Sequence, residues 1–120
     1  MKHYTALNDN AFEALKKIPE GPVMMLNLLK YKEEVDGISG RTMYVKYMKA
    51  ALPFFNASKA EVVFKGPEKL SLIGPQQKYW DDILIVKYPS KNAFLKMITS
   101  QDYPADLRSK ALQDSRLIMY

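Results

Sequence analysis

The sequence predicts a ferredoxin-like α+β domain, in which a split β-α-β sheet carries helices on one face and pairs with a second copy as a dimeric α/β barrel. Two observations predict it. The elements follow the order β-α-β-(β)-β-α-β after a short helical segment, which gives two crossovers in one antiparallel sheet. The two longest strands are also apolar on both faces, whereas helices in this arrangement cover only one. A second copy is the simplest cover for the other face, so we expect a homodimer.

Length and composition favour a single domain without a metal or a disulfide. The 120 residues, 48% of them hydrophobic, suffice for one core over residues 1–120, with residues 1–20 as a helical preamble. There is no cysteine, and the one histidine is His3. Thiolate metal sites are therefore excluded, and a histidine-based metal site or a Ser-His-Asp triad is not expected. We expect no cofactor and a cytoplasmic location.

The basic charge does not predict a nucleic-acid partner. The net charge of +5 comes from 15 lysines and three arginines that are scattered among carboxylates, whereas nucleic-acid binders concentrate basic residues in a stripe. The most apolar stretch, residues 23–29, is interrupted by Asn27 and is too short to span a bilayer. The sequence therefore predicts neither nucleic-acid binding nor membrane association.

The elements of the first half follow from periodicity and turn residues. Asn8 or Asn10 caps a short helix that reaches about residue 18, with Phe12, Leu15 and Ile18 on one face. A strand over residues 23–31 precedes a polar loop, and a helix over residues 41–57 follows, which Pro53 kinks or ends. Residues 60–65 alternate as a strand, and residues 70–73 indicate a second short strand between two Gly-Pro turns.

The second half repeats the pattern. Residues 79–88 predict the longest strand, and Ser90 is a good cap for the helix that begins after it. A break near Ser100 separates this helix from a second helical piece over about residues 103–112, and residues 115–120 close the chain as a strand.

Several motifs together resemble one known family. They are Gly-Pro-Val-Met-Met-Leu-Asn-Leu-Leu-Lys at residues 21–30, Trp-Asp at 80–81, Ile-Val-Lys-Tyr-Pro-Ser at 85–90, Asp-Tyr at 102–103 with Arg108, and Ala-Leu-Gln-Asp-Ser-Arg-Leu-Ile at 111–118. In this order they are similar to the uncharacterised DUF1330 proteins of the dimeric α/β barrel superfamily. The resemblance implies the same fold and dimer and no established reaction. Superfamily branches that handle haem use an axial histidine, and this chain has no internal one.

Asn27 is the first candidate for a ligand contact. Alternation places it on one face of the first strand with Val23, Met25 and Leu29, while the opposite face is entirely apolar. If the all-apolar face packs on the helices, Asn27 points into the barrel cavity. A buried amide there either orients a ligand or is satisfied by a neighbouring side chain or water.

Three further residues are candidates for a functional role, and each could instead have a purely structural role. Trp80 either stacks on a ligand or anchors the core or the interface. Asp81 is a possible catalytic base, a partner that fixes Arg108, or an ordinary strand-end carboxylate. Arg108 either handles charge at a catalytic or anion-binding site or pairs with Asp81 or Asp82.

Tyr44 and Tyr103 are the preferred tyrosine contacts if a pocket exists, although core packing would explain them equally.

Two functions remain open. The first function is binding of a small organic molecule in the barrel cavity without metal or haem. The alternative is a cofactor-independent oxygenase or isomerase that acts on a small aromatic or polyketide-like substrate, as some superfamily relatives do.

Overall fold

Residues 2–120 are described by the computed structural model, and they form four strands and four helices. In chain order the elements are α1 (Ala11–Leu15), β1 (Val23–Tyr31), α2 (Gly40–Ser58), β2 (Glu61–Gly66), β3 (Asp82–Tyr88), α3 (Lys91–Ile98), α4 (Ala105–Ala111) and β4 (Leu112–Met119). The strands make one antiparallel sheet in the order β2-β3-β1-β4, and the helices lie on one face of it. The predicted ferredoxin-like α+β fold is confirmed.

Serine caps define where the two longest helices begin. The Ser39 hydroxyl oxygen accepts a hydrogen bond from the Thr42 N–H, and the Ser90 hydroxyl oxygen accepts one from the Ala93 N–H, each at 3.0 Å. Each serine thereby satisfies a backbone donor that the first helical turn leaves without a partner. The predicted cap at Ser90 is confirmed.

The helix predicted over residues 41–57 is α2, which does not end at Pro53 but runs on to Ser58, where Lys59 terminates it in a left-handed backbone conformation with a φ of 59°. Two strand predictions are wrong. The strand predicted over residues 79–88 begins only at Asp82, so β1, with nine residues, is the longest strand. Residues 70–73 are not a strand: β2 pairs directly with β3, so the segment between them has no neighbouring strand to hydrogen-bond. Its apolar side chains are instead strongly exposed, Ile73 at 98%.

Alternation along β1 gives the sheet two different faces. The helix face carries Val23, Met25, Asn27, Leu29 and Tyr31, all of which are buried beneath the helices. The open face carries the alternate β1 residues and their neighbours on β3 and β4, which are partly covered or exposed: Met24, Leu26, Leu28, Ile83, Ile85 and Ile118. None of the helices among residues 2–120 has the length and apolarity needed to cross a membrane.

The expectation that the all-apolar side of β1 packs on the helices is wrong. Asn27 is 6% exposed and lies on the helix face, while Leu26 and Leu28 lie on the open face. The helix layer can accept an amide because it is itself partly polar: α4 contributes the guanidinium of Arg108, which donates to Asn27. A hydrogen-bonded amide loses little on burial.

Candidate functional site

A half-open cavity of about 1030 Å³ lies between the sheet, the helices and the N-terminal segment. The sheet supplies its floor, α2, α3 and α4 supply one side, and the N-terminal segment, residues 4–18, supplies the other. Apolar side chains dominate the lining, among them Met25, Leu84, Val86, Phe55, Phe94 and Met97. A few polar groups converge in the same space, which is the usual composition of a small-molecule site.

The N-terminal segment is a wall of this cavity, which the sequence-based prediction missed. Hydrogen bonds fix its start to β4 and α4: the Ser115 hydroxyl donates to the Tyr4 carbonyl at 2.8 Å, and the Ser109 hydroxyl donates to the Thr5 carbonyl at 2.9 Å. Further along, Leu7, Ala11, Leu15 and Ile18 line the cavity. Their spacing of three to four residues is an amphipathic signal that could have revealed the wall.

The prediction that Phe12, Leu15 and Ile18 share one apolar face is only partly correct. Leu15 and Ile18 face the cavity as a pair, but Phe12 is not among the lining residues and is 47% exposed. The helix is also shorter than expected, five residues, and Asn10 precedes it without a side-chain capping hydrogen bond. The wall therefore depends on its contacts with the rest of the chain more than on its own helicity.

Asn27 and Arg108 form the polar centre of the site. The Asn27 amide nitrogen donates to the Leu84 carbonyl at 3.2 Å, which fixes the direction of its oxygen. That oxygen accepts a hydrogen bond from the Arg108 guanidinium at 3.0 Å. The amide thus orients the arginine, and both side chains line the cavity. Burial and this pairing hold the guanidinium in place on the half-buried face of α4.

Three tyrosines surround this pair. Tyr44 and Tyr47 reach in from α2 with 2% and 3% of their surface exposed, and the Tyr47 and Tyr103 hydroxyls hydrogen-bond to each other. Burial raises the pKa of Tyr44, and Arg108 opposes the rise. Burial likewise raises the pKa of Tyr47, with a further contribution from Tyr103. The phenols are therefore protonated at neutral pH and act as hydrogen-bond donors in place of bases.

The predicted site residues fall into two groups. Asn27, Tyr44, Tyr103 and Arg108 meet in the cavity. Trp80 does not line it: its ring packs edge-to-face on Tyr79 with centroids 4.8 Å apart and lies 5.2 Å from the guanidinium carbon of Arg116. This is the geometry of an anchoring aromatic residue.

Asp81 also lies outside the cavity. Its carboxylate accepts from the Tyr31 N–H at 2.8 Å, and its own N–H donates to the Leu29 carbonyl at 2.8 Å, so it closes the start of β3 onto β1. It makes no salt bridge with Arg108.

Asp82 is occupied by other partners as well. Its side chain is 4% exposed and is held by the Arg41 guanidinium and the Tyr31 hydroxyl at 2.8 and 2.7 Å. Burial opposes ionisation, but the Tyr31 hydrogen bond and the Lys65 and Arg41 charges outweigh it and lower the pKa of Asp82. The expected structural pairing of Arg108 with Asp81 or Asp82 is therefore absent from residues 2–120.

Comparison with solved structures identifies relatives of the whole chain. A protein of unknown function from Rhodopseudomonas palustris is 34% identical, with a TM-score of 0.87, over 99% of this chain and 96% of its own. The chain belongs to the same family as that protein. Neither a scan of protein-family models nor a search of the curated proteins finds a match.

More distant structures share the fold alone. A dimeric protein of unknown function with a ferredoxin-like fold from Bacteroides fragilis is 12% identical, covers 83% of this chain and 95% of its own, and has a TM-score of 0.54. A cofactor-independent oxygenase from Streptomyces nogalater, in a mutant form, is 15% identical over 83% of this chain and 91% of its own, with a TM-score of 0.53.

Proposed function

We propose that this chain is a DUF1330-type protein that forms a homodimer and binds a small organic molecule between its sheet and its helices, without metal or haem. The cavity of about 1030 Å³ carries the proposal, because it combines a mainly apolar lining with polar groups that converge from three separate elements. The site differs in place from the one expected from the sequence: it lies within a single chain, beneath its helices, and not in the space between two sheets.

The open face supports the homodimer. At its centre Leu26 stands between Ile85 on β3 and Ile118 on β4, and Ile118 is 40% exposed. A contiguous apolar surface of this kind is unusual on a monomer in water. Its occupant in our proposal is the same face of a second copy, and the dimeric relative of the same fold from Bacteroides fragilis is consistent with it.

The chemistry of the cavity favours binding over catalysis. An oxygenase or isomerase of this kind would need a group that removes a proton from its substrate. Within residues 2–120 the only acidic side chain that lines the cavity is Asp106, which is exposed, and burial keeps the tyrosines protonated. Asp81, the candidate base, lies elsewhere. The residues present can orient a ligand and stabilise its charge.

Filling the cavity tests the binding function. Wild-type protein incubated with a bacterial metabolite extract is expected to retain a small-molecule adduct in native mass spectrometry. Ala11→Trp, which places a large ring among the lining side chains, should lose most of that adduct, and Asn27→Leu should reduce it. Ala57→Trp on the exposed side of α2 is the matched control and should behave as wild type. An unliganded wild type, or equal retention by all variants, contradicts the proposal.

Charging the open face tests the dimer. Light scattering at micromolar concentration is expected to give wild type twice the 13.8 kDa chain mass. Leu26→Glu should give a monomer, because two carboxylates would be buried at the centre of the interface. Val45→Glu on the exposed surface of α2 is the control and should remain a dimer. A monomeric wild type excludes the interface, whatever the variants do, and circular dichroism separates dissociation from unfolding.

A further inference from the structure

We infer that the cavity selects an organic anion, an apolar body that carries a carboxylate or similar oxyanion, and that Arg108 is the residue that binds the charge. The inference rests on the proposed binding function and specifies its ligand. The observation behind it is that Arg108 faces the cavity with its charge unmatched by any carboxylate of residues 2–120.

The distribution of ion pairs makes Arg108 different from the other two arginines. Arg41 is paired with the Asp82 carboxylate at 2.8 Å, and Arg116 with the Asp114 carboxylate at 2.7 Å. Arg108 forms no such bridge within the described residues, and its assigned partner is the neutral oxygen of Asn27. An amide oxygen fixes the direction of a guanidinium without neutralising it.

The position of this charge makes an anionic ligand favourable. Arg108 is half-buried on α4 and lines a cavity whose surface is mainly apolar. Water screens a charge poorly in such a space, so an oxyanion placed against the guanidinium interacts more strongly there than at the surface. One guanidinium N–H is directed at Asn27 and another is in hydrogen-bonding reach of the Tyr44 hydroxyl oxygen, and the other donors of the planar group can make a bidentate contact with a carboxylate.

The groups around Arg108 also suit an oxyanion. The hydroxyls of Tyr44, Tyr47 and Tyr103 are protonated donors that lie near the guanidinium, whose charge acts on the pKa of each of them. The Asn27 oxygen is already used as an acceptor. The Tyr47 and Tyr103 hydroxyls bond to each other, so one of their hydrogens is already used, whereas the Tyr44 hydroxyl hydrogen and other guanidinium N–H groups can still donate. A ligand group that only accepts hydrogen bonds can use these donors.

The apolar lining defines the rest of the ligand. The apolar lining comes from the sheet, from α3 and from the N-terminal wall: Met25, Leu84, Val86, Phe94, Met97 and Leu15. These side chains can enclose an aromatic or branched aliphatic body. The other arginine of the lining, Arg116, is already paired with the Asp114 carboxylate, so it does not offer an unmatched charge to a second anionic group. The class is therefore a monoanionic apolar acid, as opposed to a sugar phosphate or a polyamine.

Matched pairs of acids and amides test the charge assignment. Isothermal titration calorimetry would compare benzoate, cinnamate and 2-naphthoate with benzamide, cinnamamide and 2-naphthamide, since each pair differs in charge and hardly in shape. Wild type is expected to bind at least one acid about tenfold or more tightly than its amide. Arg108→Met should abolish that preference, and Arg108→Lys should retain part of it. Lys110→Met, which removes an exposed cation from the same helix, should leave the preference unchanged.

The outcomes separate this inference from the binding function. Equal affinity for acid and amide, no binding of any acid, or a preference that survives in Arg108→Met overturns the anion assignment. The adduct from the metabolite extract decides the binding function by itself: if it persists in wild type and is lost in Ala11→Trp, the cavity binds a ligand even when the acid series fails. The exact mass of that adduct gives a further check, because a neutral compound would contradict an anion site.

Discussion

Gly40→Ala is expected to lower the free energy of unfolding by about 3 kcal/mol. Gly40 is the first residue of α2, and there the helix meets the end of β1 and the end of α4 at backbone distance: the Gly40 N–H donates to the Lys32 carbonyl at 2.9 Å, and the Lys32 N–H donates to the Ala111 carbonyl at 3.0 Å. A methyl group on Gly40 would lie 2.5 Å from the Lys32 nitrogen and 2.6 Å from the Ala111 oxygen. These atoms belong to hydrogen-bonded backbone, which cannot move aside as a flexible side chain does.

Urea unfolding followed by circular dichroism, at one fixed protein concentration, measures this loss. Gly37→Ala is the matched control, because a methyl group there meets no atom within 4 Å, although the φ of 81° adds strain. We expect it to cost about 1 kcal/mol. A Gly40→Ala variant no less stable than Gly37→Ala would show that the three elements do not approach so closely.

Asp114→Asn is expected to lower the free energy of unfolding by about 3 kcal/mol at neutral pH. The Asp114 side chain is completely buried, and it accepts hydrogen bonds from the Tyr4 N–H, the Tyr79 hydroxyl, the Ser115 N–H and the Arg116 guanidinium at 2.7–2.9 Å. All four partners are donors. An asparagine at this position would place its NH₂ group, which is itself a donor, next to these donors. It would also leave the guanidinium of Arg116 without its counter-charge.

The lowered pKa of Asp114 predicts how the free energy of unfolding changes with pH. Burial opposes ionisation of Asp114, but the hydrogen bonds outweigh it and lower the pKa to about 2, compared with 3.8 in the unfolded chain. The folded state therefore holds the proton less tightly, so the stabilisation is complete above pH 3.8 and disappears as the pH falls through about 2. The stability difference between wild type and Asp114→Asn should narrow over this range. Asp106→Asn, at an exposed carboxylate, is the control, and a difference constant from pH 5 to pH 2 would contradict the assignment.

Asp114 also connects stability with the proposed site. Its carboxylate receives the Tyr4 N–H, which is where the N-terminal wall of the cavity begins. Loss of this contact would weaken the start of the wall, which would then be held only by the Ser115 bond to the Tyr4 carbonyl and the Ser109 bond to the Thr5 carbonyl. We expect the ligand adduct of Asp114→Asn to be reduced even under conditions where the variant is folded.

Much of the architecture was predictable because each element carries its own local signal. The helical spacing of Met43, Tyr44, Tyr47 and Ala51 predicts α2, and these residues are buried in the structure. Ser90 and the apolar residues after it predict the beginning of α3. The unpaired segment over residues 70–73 was misjudged because alternation shows that a segment could be a strand, whereas a strand also needs a neighbour with free backbone groups.

The sequence singled out several residues that line the cavity, but it did not predict where in the fold the cavity lies. Asn27, Tyr44, Tyr103 and Arg108 stood out as polar or aromatic residues in unusual positions, and the fold brings them together from β1, α2, the segment before α4 and α4. Trp80 and Asp81 stood out by the same criterion but lie near the start of β3, away from the cavity. Residue type alone does not distinguish the two groups, because their separation depends on chain packing over large sequence distances.

The sequence by itself determined the order of elements apart from the strand expected at residues 70–73, the absence of thiolate chemistry, and the fact that Asn27 shares a face with Val23 and Met25. Only the tertiary structure decided which face of β1 the helices cover. The pattern has a period of two and both sets of residues are largely apolar, so alternation fixes which residues go together but not the side to which they point. The right-handed crossovers set that face, and the guanidinium of Arg108 on α4 supplies the partner that the buried Asn27 oxygen requires there. The consequence is a cavity beneath the helices, which we propose as the ligand site, and an apolar open face on the other side of the sheet.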